Sequence, residues 1–135
     1  MVLVVSLPDL HPVAQWKLPS GGAHGLDIDH SRGRLYAACD DGALVEMDIG
    51  SGEITNVWPI AGPPDVTFFN PSSGLVHVAI GEPGLIEVFE TDGMRRVEVT
   101  RTEMGAHTLG FDQAHHMIYA FLPDSHRALV FHDRG

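Results

Sequence analysis

One stretch of the sequence decides the fold: Gly22-Ala23-His24-Gly25-Leu26-Asp27-Ile28-Asp29. It returns near the other end of the chain as Gly105-Ala106-His107-Thr108-Leu109-Gly110-Phe111-Asp112, and Arg34-Leu35-Tyr36-Ala37 returns in step as Met117-Ile118-Tyr119-Ala120. Half of that offset falls on a weaker middle copy, Asp65-Val66-Thr67-Phe68-Phe69-Asn70. The sequence is therefore a repeat with a period of about 41 residues, which is typical of one four-stranded blade of a β-propeller.

The runs inside each period predict short antiparallel strands. Apolar and β-branched runs alternate with Gly, Pro, Asp and Ser clusters, and no stretch carries a helical period. From the inside of a blade outward, the predicted strands are 25–29, 65–69 and 108–112, then 34–39, 75–80 and 117–122, then 43–48, 84–90 and 128–133, and last 54–60 and 96–101. Segments 2–7 and 13–18 fit one more pair of outer strands. The predicted fold class is all-β: a β-propeller of about three four-stranded antiparallel blades in a single, partial domain, residues 1–135.

Three blades are fewer than a closed ring needs. Propellers usually have about four to eight blades, because each blade buries its faces against its neighbours. The chain is therefore either a piece of a longer protein or half of a ring of about six blades that two copies close. Neither end carries a polar capping segment, which favours the homodimer. Thirteen strands are predicted, and three four-stranded blades hold twelve. One strand is therefore left outside a blade, and it is either segment 2–7 or segment 128–133.

Composition and charge limit the partners. The 135 residues have the length of one domain, and 8 basic against 18 acidic residues give a formal net charge of −10. Nucleic acid and anionic membranes need clustered Lys and Arg, so neither is expected as a partner, whereas cations are attracted. The opening MVLVVSLP is too short for a membrane span and lacks the basic flank of a secretory signal. Cys39 is the single cysteine, and a cytoplasmic setting is expected.

The repeat resembles a known family. Its pattern of a small residue, His-Gly-Leu-x-Ile-Asp, a turn, Gly-Arg-Leu-Tyr-Ala, a turn and Gly-Ala-Leu-Val is similar to the YVTN-type β-propeller repeats found in many bacterial proteins. The signature positions read Tyr36-Ala37-Ala38-Cys39, His77-Val78-Ala79-Ile80 and Tyr119-Ala120-Phe121-Leu122. The resemblance covers nearly the whole chain and implies a propeller fold. It leaves the activity open, since propellers serve as binding scaffolds, lyases, lactonases and dehydrogenases.

Stacking the repeats brings out one candidate site. His24, Asp65 and His107 take the same place in consecutive copies, just before the innermost strand, where a propeller meets its central channel. The loops on that face add five polar side chains: Asp40, Asp41, Glu82, Asp124 and His126. Imidazoles and carboxylates are the ligands that zinc, nickel and manganese prefer, so the one cofactor this ring suggests is a divalent metal ion.

Three interpretations of the ring stay open. The histidines hydrogen-bond a neighbouring blade, or they hold a metal ion or another ligand, or they act in acid–base catalysis. The resemblance extends to metal-dependent propeller lactonases, in which the ion polarises a carbonyl or activates water. Those enzymes use Glu, Asn and Asp ligands, a set that these positions do not reproduce.

The usual catalytic motifs are missing from the sequence, including G-x-S-x-G, G-x-G-x-x-G, the P-loop, H-E-x-x-H and C-x-x-C. We therefore expect a non-catalytic binding or scaffold module that self-associates to close its ring and takes a protein or small-molecule ligand. The alternatives are a metal-dependent hydrolase or lyase with its site at the channel mouth, and a structural fragment that a partner chain completes. We also expect Cys39 to be a buried thiol, Trp16 and Trp58 to pack between blades, and four histidines to be exposed: His11, His30, His115 and His116.

Overall fold

The computed structural model describes residues 1–133, and these form thirteen β-strands and no helix. This part of the chain accordingly has no helix that is long and apolar enough to cross a membrane. The strands are β1 (Val2–Val5), β2 (Pro12–Trp16), β3 (Ala23–Asp29), β4 (Arg34–Cys39), β5 (Ala43–Asp48), β6 (Ile54–Pro59), β7 (Pro64–Asn70), β8 (Leu75–Ile80), β9 (Leu85–Glu90), β10 (Arg95–Arg101), β11 (Leu109–Asp112), β12 (Met117–Leu122) and β13 (Arg127–His132).

All thirteen predicted strands are present, which confirms the all-β fold class. Their bounds differ from the prediction by at most two residues. The strands β3 and β7 begin earlier than predicted, at Ala23 and Pro64, because each continues through a β-bulge near its start. The strands β1 and β2 end two residues early, at Val5 and Trp16.

The strands form a hairpin and three antiparallel sheets that follow one another along the chain. We call them the N-terminal hairpin (β1–β2), the first sheet (β3–β6), the second sheet (β7–β10) and the third sheet (β11–β13). Strands that are neighbours in sequence are also neighbours in each sheet. This up-and-down order needs only short turns, and the Gly, Pro, Asp and Ser clusters of the sequence supply them.

The turn between the two inner strands of the first sheet shows how these clusters work. Oδ1 of Asp29 accepts hydrogen bonds from the backbone N–H groups of Ser31 and Arg32, at 2.9 and 3.2 Å. Gly33 follows with a φ of 64°, which glycine adopts without steric cost. Asn70 and Asp112 accept equivalent bonds in the second and third sheets. The repeated Asp or Asn therefore ends the innermost strand of every sheet.

The sheets pack face to face. We call the side of a sheet that points to the next sheet along the chain its forward face, and the opposite side its rear face. On the forward face of the first sheet Tyr36 is buried against the second sheet, with its ring centroid 5.6 Å from that of Phe69. Similar clusters join the hairpin to the first sheet and the second sheet to the third. Trp16 and Trp58 pack against two of these clusters, which confirms that they lie between blades.

The forward face of the third sheet is left open in residues 1–133. Tyr36, His77 and Tyr119 occupy the same register position on the forward faces of the three sheets, opposite Glu46, Val88 and Val130 of the next strand. Their exposures are 0%, 2% and 40%. Phe121 and Val130 on the same face of the third sheet are also exposed. The third sheet is therefore built with an apolar face that no described residue covers.

The rear face of the first sheet is open at its inner end. Leu26 of β3 and Thr67 of β7 are equivalent positions, each paired with the matching residue of the neighbouring strand. Thr67 is 7% exposed because β3 lies against it, whereas Leu26 is 49% exposed. The hairpin covers only the outer part of the first sheet, since it has two strands where the other sheets have three or four.

Candidate functional site

Two β-bulges bring His24 and Asp65 out of their strand ladders. The pairing of β3 with β4 shifts between Ala23 and Gly25, so His24 has no partner in the ladder. The pairing of β7 with β8 shifts between Pro64 and Thr67, which frees Asp65 in the same way. A bulge re-aims the side chain that it releases. His107 lies in the loop just before β11, the first strand of the third sheet. Its carbonyl oxygen accepts a hydrogen bond from the N–H of Val66 at 3.3 Å.

The three side chains meet, as the repeat alignment predicts. Oδ2 of Asp65 lies 2.6 Å from Nδ1 of His107, and Oδ1 of Asp65 lies 3.6 Å from Nε2 of His24. Asp65 therefore bridges the first and third sheets through one carboxylate. Nδ1 of His24 lies 3.2 Å from Oδ1 of Asp40, so this imidazole has a carboxylate at each nitrogen. A neutral imidazole carries one N–H and can donate to only one of them, whereas a protonated one donates to both.

These side chains border an open pocket of about 390 Å³. Five of the eight predicted site residues line it: His24, Asp40, Asp65, Glu82 and His107. The rest of the lining consists of residues that the sequence did not mark as site candidates: Pro63, Pro64, Gly81 and Gly105. Gly105 has a φ of 77°, and its N–H donates to the carbonyl oxygen of Gly81 at 2.7 Å. The recurrence of Gly105 in the position of Gly22, which also has a positive φ, is the signal that could have marked it.

The other three predicted site residues do not line this pocket. Oδ2 of Asp41 accepts a hydrogen bond from the N–H of Gly21 at 2.9 Å, which ties together two loops. The N–H of Asp124 donates to Oε2 of Glu103 at 3.1 Å. His126 is exposed with a φ of 53° in the same turn. Hydrogen bonds from Ser125 hold the pKa of Glu103 below its ordinary value, so Glu103 orders this turn as a carboxylate.

The imidazoles and carboxylates of this cluster pair with one another. Nε2 of His24 and Nδ1 of His107 face Asp65, and Nδ1 of His24 faces Asp40. Among residues 1–133 no group of three or more His, Cys, Asp or Glu side chains is spaced to hold an ion. We therefore derive no metal-dependent step, and the metal interpretation stays a prediction.

A buried polar cluster between the second and third sheets was not anticipated. His77 stands where Tyr36 and Tyr119 stand in the other copies, and this substitution is the only sequence signal for it. Nε2 of His77 lies 3.5 Å from Oδ1 of Asp133. The other carboxylate oxygen, Oδ2, accepts hydrogen bonds from the side chains of Asn70 and Ser73. Nδ1 of His77 is buried and has no partner in residues 1–133. Burial lowers the pKa of His77 below its ordinary value of 6.5, against the opposing effect of Asp133.

The remaining single-residue predictions agree with the structure. Cys39 is fully buried at the end of β4, and burial raises the pKa of its thiol, which keeps it protonated and unreactive. The four histidines expected at the surface are exposed: His11, His30, His115 and His116.

Comparison with known proteins places the fold. The sequence matches no family model and no curated protein. Solved structures that are similar to it include hydrazine synthase from Kuenenia stuttgartiensis (TM-score 0.70, 10% identity, 81% of this chain and 31% of that one), a chain of the mitotic checkpoint complex (0.75, 8%, 82% and 36%) and U3-55K (0.69, 10%, 87% and 41%). At such low identities the likeness shows the fold alone.

The fold and its neighbours define a protein of the β-propeller type. The chain has two complete four-stranded blades, a three-stranded third and a two-stranded hairpin in residues 1–133. It spans 31% to 41% of the length of the structures that it matches. The comparisons do not bear on the YVTN repeat, and membership of that family stays a prediction.

Proposed function

We propose that the protein is a non-catalytic binding or scaffold module of the β-propeller type that closes its ring by self-association. One observation carries this proposal: Tyr119 holds the register position at which Tyr36 and His77 are buried between sheets, yet it is 40% exposed. The forward face of the third sheet thus has the composition of an interior blade face. Burying such a face contributes about 25 cal/mol for every Å² of apolar surface removed from water.

A second copy of the chain supplies the matching surface. The rear face of the first sheet is open at its inner end, where Leu26 is exposed. A forward face resting on the partner's rear face is a head-to-tail contact, and such contacts close when the rotations add up to a full turn. Three blades turn through half a circle in a ring of six, so a twofold axis completes it. The matched structures, more than twice as long as this chain, support a ring with more blades than one copy supplies.

The pocket at the start of the inner strands is the ligand site in this proposal. Its carboxylates, Asp40, Asp65 and Glu82, favour a positively charged group, and the net charge of −10 draws such a group in. One of the matched chains belongs to the mitotic checkpoint complex, which supports a scaffold role. A basic segment of a partner protein fits an open pocket of this charge better than a small, fully enclosed ligand does.

Matched lysine substitutions test the self-association. Val130 of β13 and Val57 of β6 are both exposed, at 44% and 47%, but only Val130 lies on the open forward face. In sedimentation velocity we expect the wild type and Val57→Lys to sediment at twice the chain mass of 14.6 kDa, and Val130→Lys at the chain mass. A wild type that sediments as a monomer overturns the proposal, as does a Val130→Lys variant that remains a dimer.

A basic peptide tests the ligand site. In a two-dimensional amide NMR titration with an arginine-rich peptide, we expect shifts at Gly81 and Gly105 that disappear in Asp65→Ala and at high salt. An acidic peptide of the same length is the control. Shifts scattered over the surface, or shifts that survive in Asp65→Ala, contradict this assignment.

A further inference from the structure

Within residues 1–133 the third sheet has three strands and no outer strand, and a groove lies beside its edge. In the first two sheets the fourth strands β6 and β10 pair with β5 and β9. Beside the free edge of β13 lies a groove of about 310 Å³ between the second and third sheets. It is lined from one side by Val97, Glu98 and Thr100 of β10 and from the other by Phe131 and His132. His77, with its buried and unpartnered Nδ1, also borders it.

The register of the sheets identifies which strand fits. Each third strand pairs with its fourth strand at the same repeat positions: Leu44 with Trp58, and Ile86 with Thr100. In the hairpin Val2 pairs with Trp16 in the same register. Ala128 of β13 is the next member of the series Val2, Leu44 and Ile86. The fourth strand that this chain can offer to β13 is therefore β2, in the register that sets Trp16 opposite Ala128 and Ala14 opposite Val130.

We propose that β2 of one copy pairs with β13 of a second copy and completes the third sheet of that copy. In this arrangement β13 takes the place beside β2 that β1 holds in the single chain. The inference rests on the proposed self-association and specifies how the two chains join. Each composite blade would consist of β11, β12 and β13 of one copy and β2 of the other. In this arrangement β1 is the one strand of the thirteen that belongs to no blade.

The contacts of β1 and β13 explain why β1 leaves. Strand β1 has four residues, and Leu3 and Val5 within it are exposed. Strand β13 has six residues, pairs along its whole length with β12, and packs Leu129 and Phe131 against the second sheet. Removing β1 from β2 therefore breaks fewer contacts than removing β13 from β12.

The exchanged blade also offers hydrogen-bond partners to Gln15 of β2. Gln15 would lie on the same side of the blade as Leu129, next to Glu98 and Thr100, and its amide N–H groups can donate to both.

Strand exchange also completes the channel mouth. The third sheet of one copy then precedes the first sheet of the other, so His107 of the partner subunit follows around the ring next to His24. The pocket of each copy becomes part of one circle of four imidazoles and two bridging carboxylates. The binding site that we assign to the protein is thus shared between two chains.

Engineered disulfides test the exchange, and the chain suits this approach because its only cysteine, Cys39, is fully buried. Ala14→Cys with Val130→Cys places two thiols opposite each other in the proposed ladder, within the reach of a disulfide. We expect a covalent dimer on oxidation. Val57→Cys with Val130→Cys is the matched control, and it should remain a single chain under denaturing, non-reducing conditions.

A second experiment uses an engineered disulfide within one chain to hold β1 on β2. Val4 pairs with Ala14 in the hairpin, so Val4→Cys with Ala14→Cys locks β1 in its present position. We expect the oxidised variant to lose the dimer and the reduced one to regain it. A dimer that persists under oxidation, or that gives no Ala14–Val130 cross-link, overturns strand exchange and leaves self-association standing. A wild-type monomer overturns both.

Discussion

Tyr36 and Tyr119 occupy the same position of the repeat, two sheets apart, and one is fully buried while the other is 40% exposed. The difference comes from the neighbouring sheet and not from the residue. The second sheet covers Tyr36 with Phe69 and Val76, and no described residue covers Tyr119 in this way. The forward face of the third sheet therefore carries, at this position, the same residue type that is buried between the first two sheets.

Two phenylalanines separate interior packing from the open face. Phe89 is fully buried between the first and second sheets, and Phe121 is exposed on the forward face of the third. We expect Phe89→Ala to lower the unfolding free energy by about 3–5 kcal/mol, because it leaves a cavity. Phe121→Ala should instead weaken the dimer and leave the unfolding of the isolated chain nearly unchanged. Urea denaturation and sedimentation together check this, and equal effects of the two substitutions on unfolding would contradict it.

Two glycines test how closely the inner strands approach. A Cβ on Gly25 would lie 2.5 Å from the carbonyl oxygen of Asp65 and 2.8 Å from the N–H nitrogen of Thr67, whereas a Cβ on Gly110 meets nothing within 4 Å. We expect Gly25→Ala to cost about 1–3 kcal/mol, because it pushes β3 away from β7. Gly110→Ala is the control and should be neutral or slightly stabilising. Thermal or urea unfolding gives both values, and a neutral Gly25→Ala would show that the strands are not in close contact.

Two aspartates distinguish a site residue from a structural one. Asp65 is one-third exposed and pairs with imidazoles, whereas Asp29 is buried and accepts three hydrogen bonds within its turn. We expect Asp65→Ala to cost less than about 1 kcal/mol, as partly exposed ion pairs do. Asp29→Ala removes the three hydrogen bonds that hold this turn and should cost about 1–3 kcal/mol. If Asp65→Ala proves the more costly change, the channel-mouth cluster is structural and its assignment as a ligand site loses support.

The buried imidazole of His77 should lower the unfolding free energy of the protein in mild acid. Burial holds its pKa below 6.5 although Asp133 and Glu98 oppose the shift, so the folded protein binds fewer protons than the unfolded chain below that pH. The unfolding free energy should therefore fall as the pH falls through 6.5, by up to about 1.4 kcal/mol per pH unit for one proton. His77→Gln should flatten this slope, while the exposed His30→Gln should not. Urea titrations at several pH values measure the slopes, and identical slopes for all three proteins would refute the assignment.

The strands and the meeting of His24, Asp65 and His107 follow from the sequence because both depend on the repeat. Equal spacing puts equivalent residues at equivalent positions, and turn residues limit the strands. The bulges at His24 and Asp65 could not be predicted, because alternating apolar residues indicate where a strand lies and not where its pairing register shifts by a residue. The hydrogen-bond partners of Asp41 and Asp124 could not be predicted either, because these hydrogen bonds depend on the conformations of individual loops.

The His77 cluster shows a further limit of sequence reasoning. His77 looks like a minor variation of a tyrosine position, and only the packed structure shows that Asp133 reaches it from the end of another strand. Long-range polar contacts of this kind depend on how sheets stack, and no local pattern encodes them.

The central claim is that two copies close one ring. Light scattering on the wild-type chain during size-exclusion chromatography, over a series of dilutions, measures it most directly. We expect a molar mass of twice 14.6 kDa that falls only on dilution below the dissociation constant. A mass of 14.6 kDa at every concentration, with Tyr119 and Phe121 exposed to solvent, would contradict it.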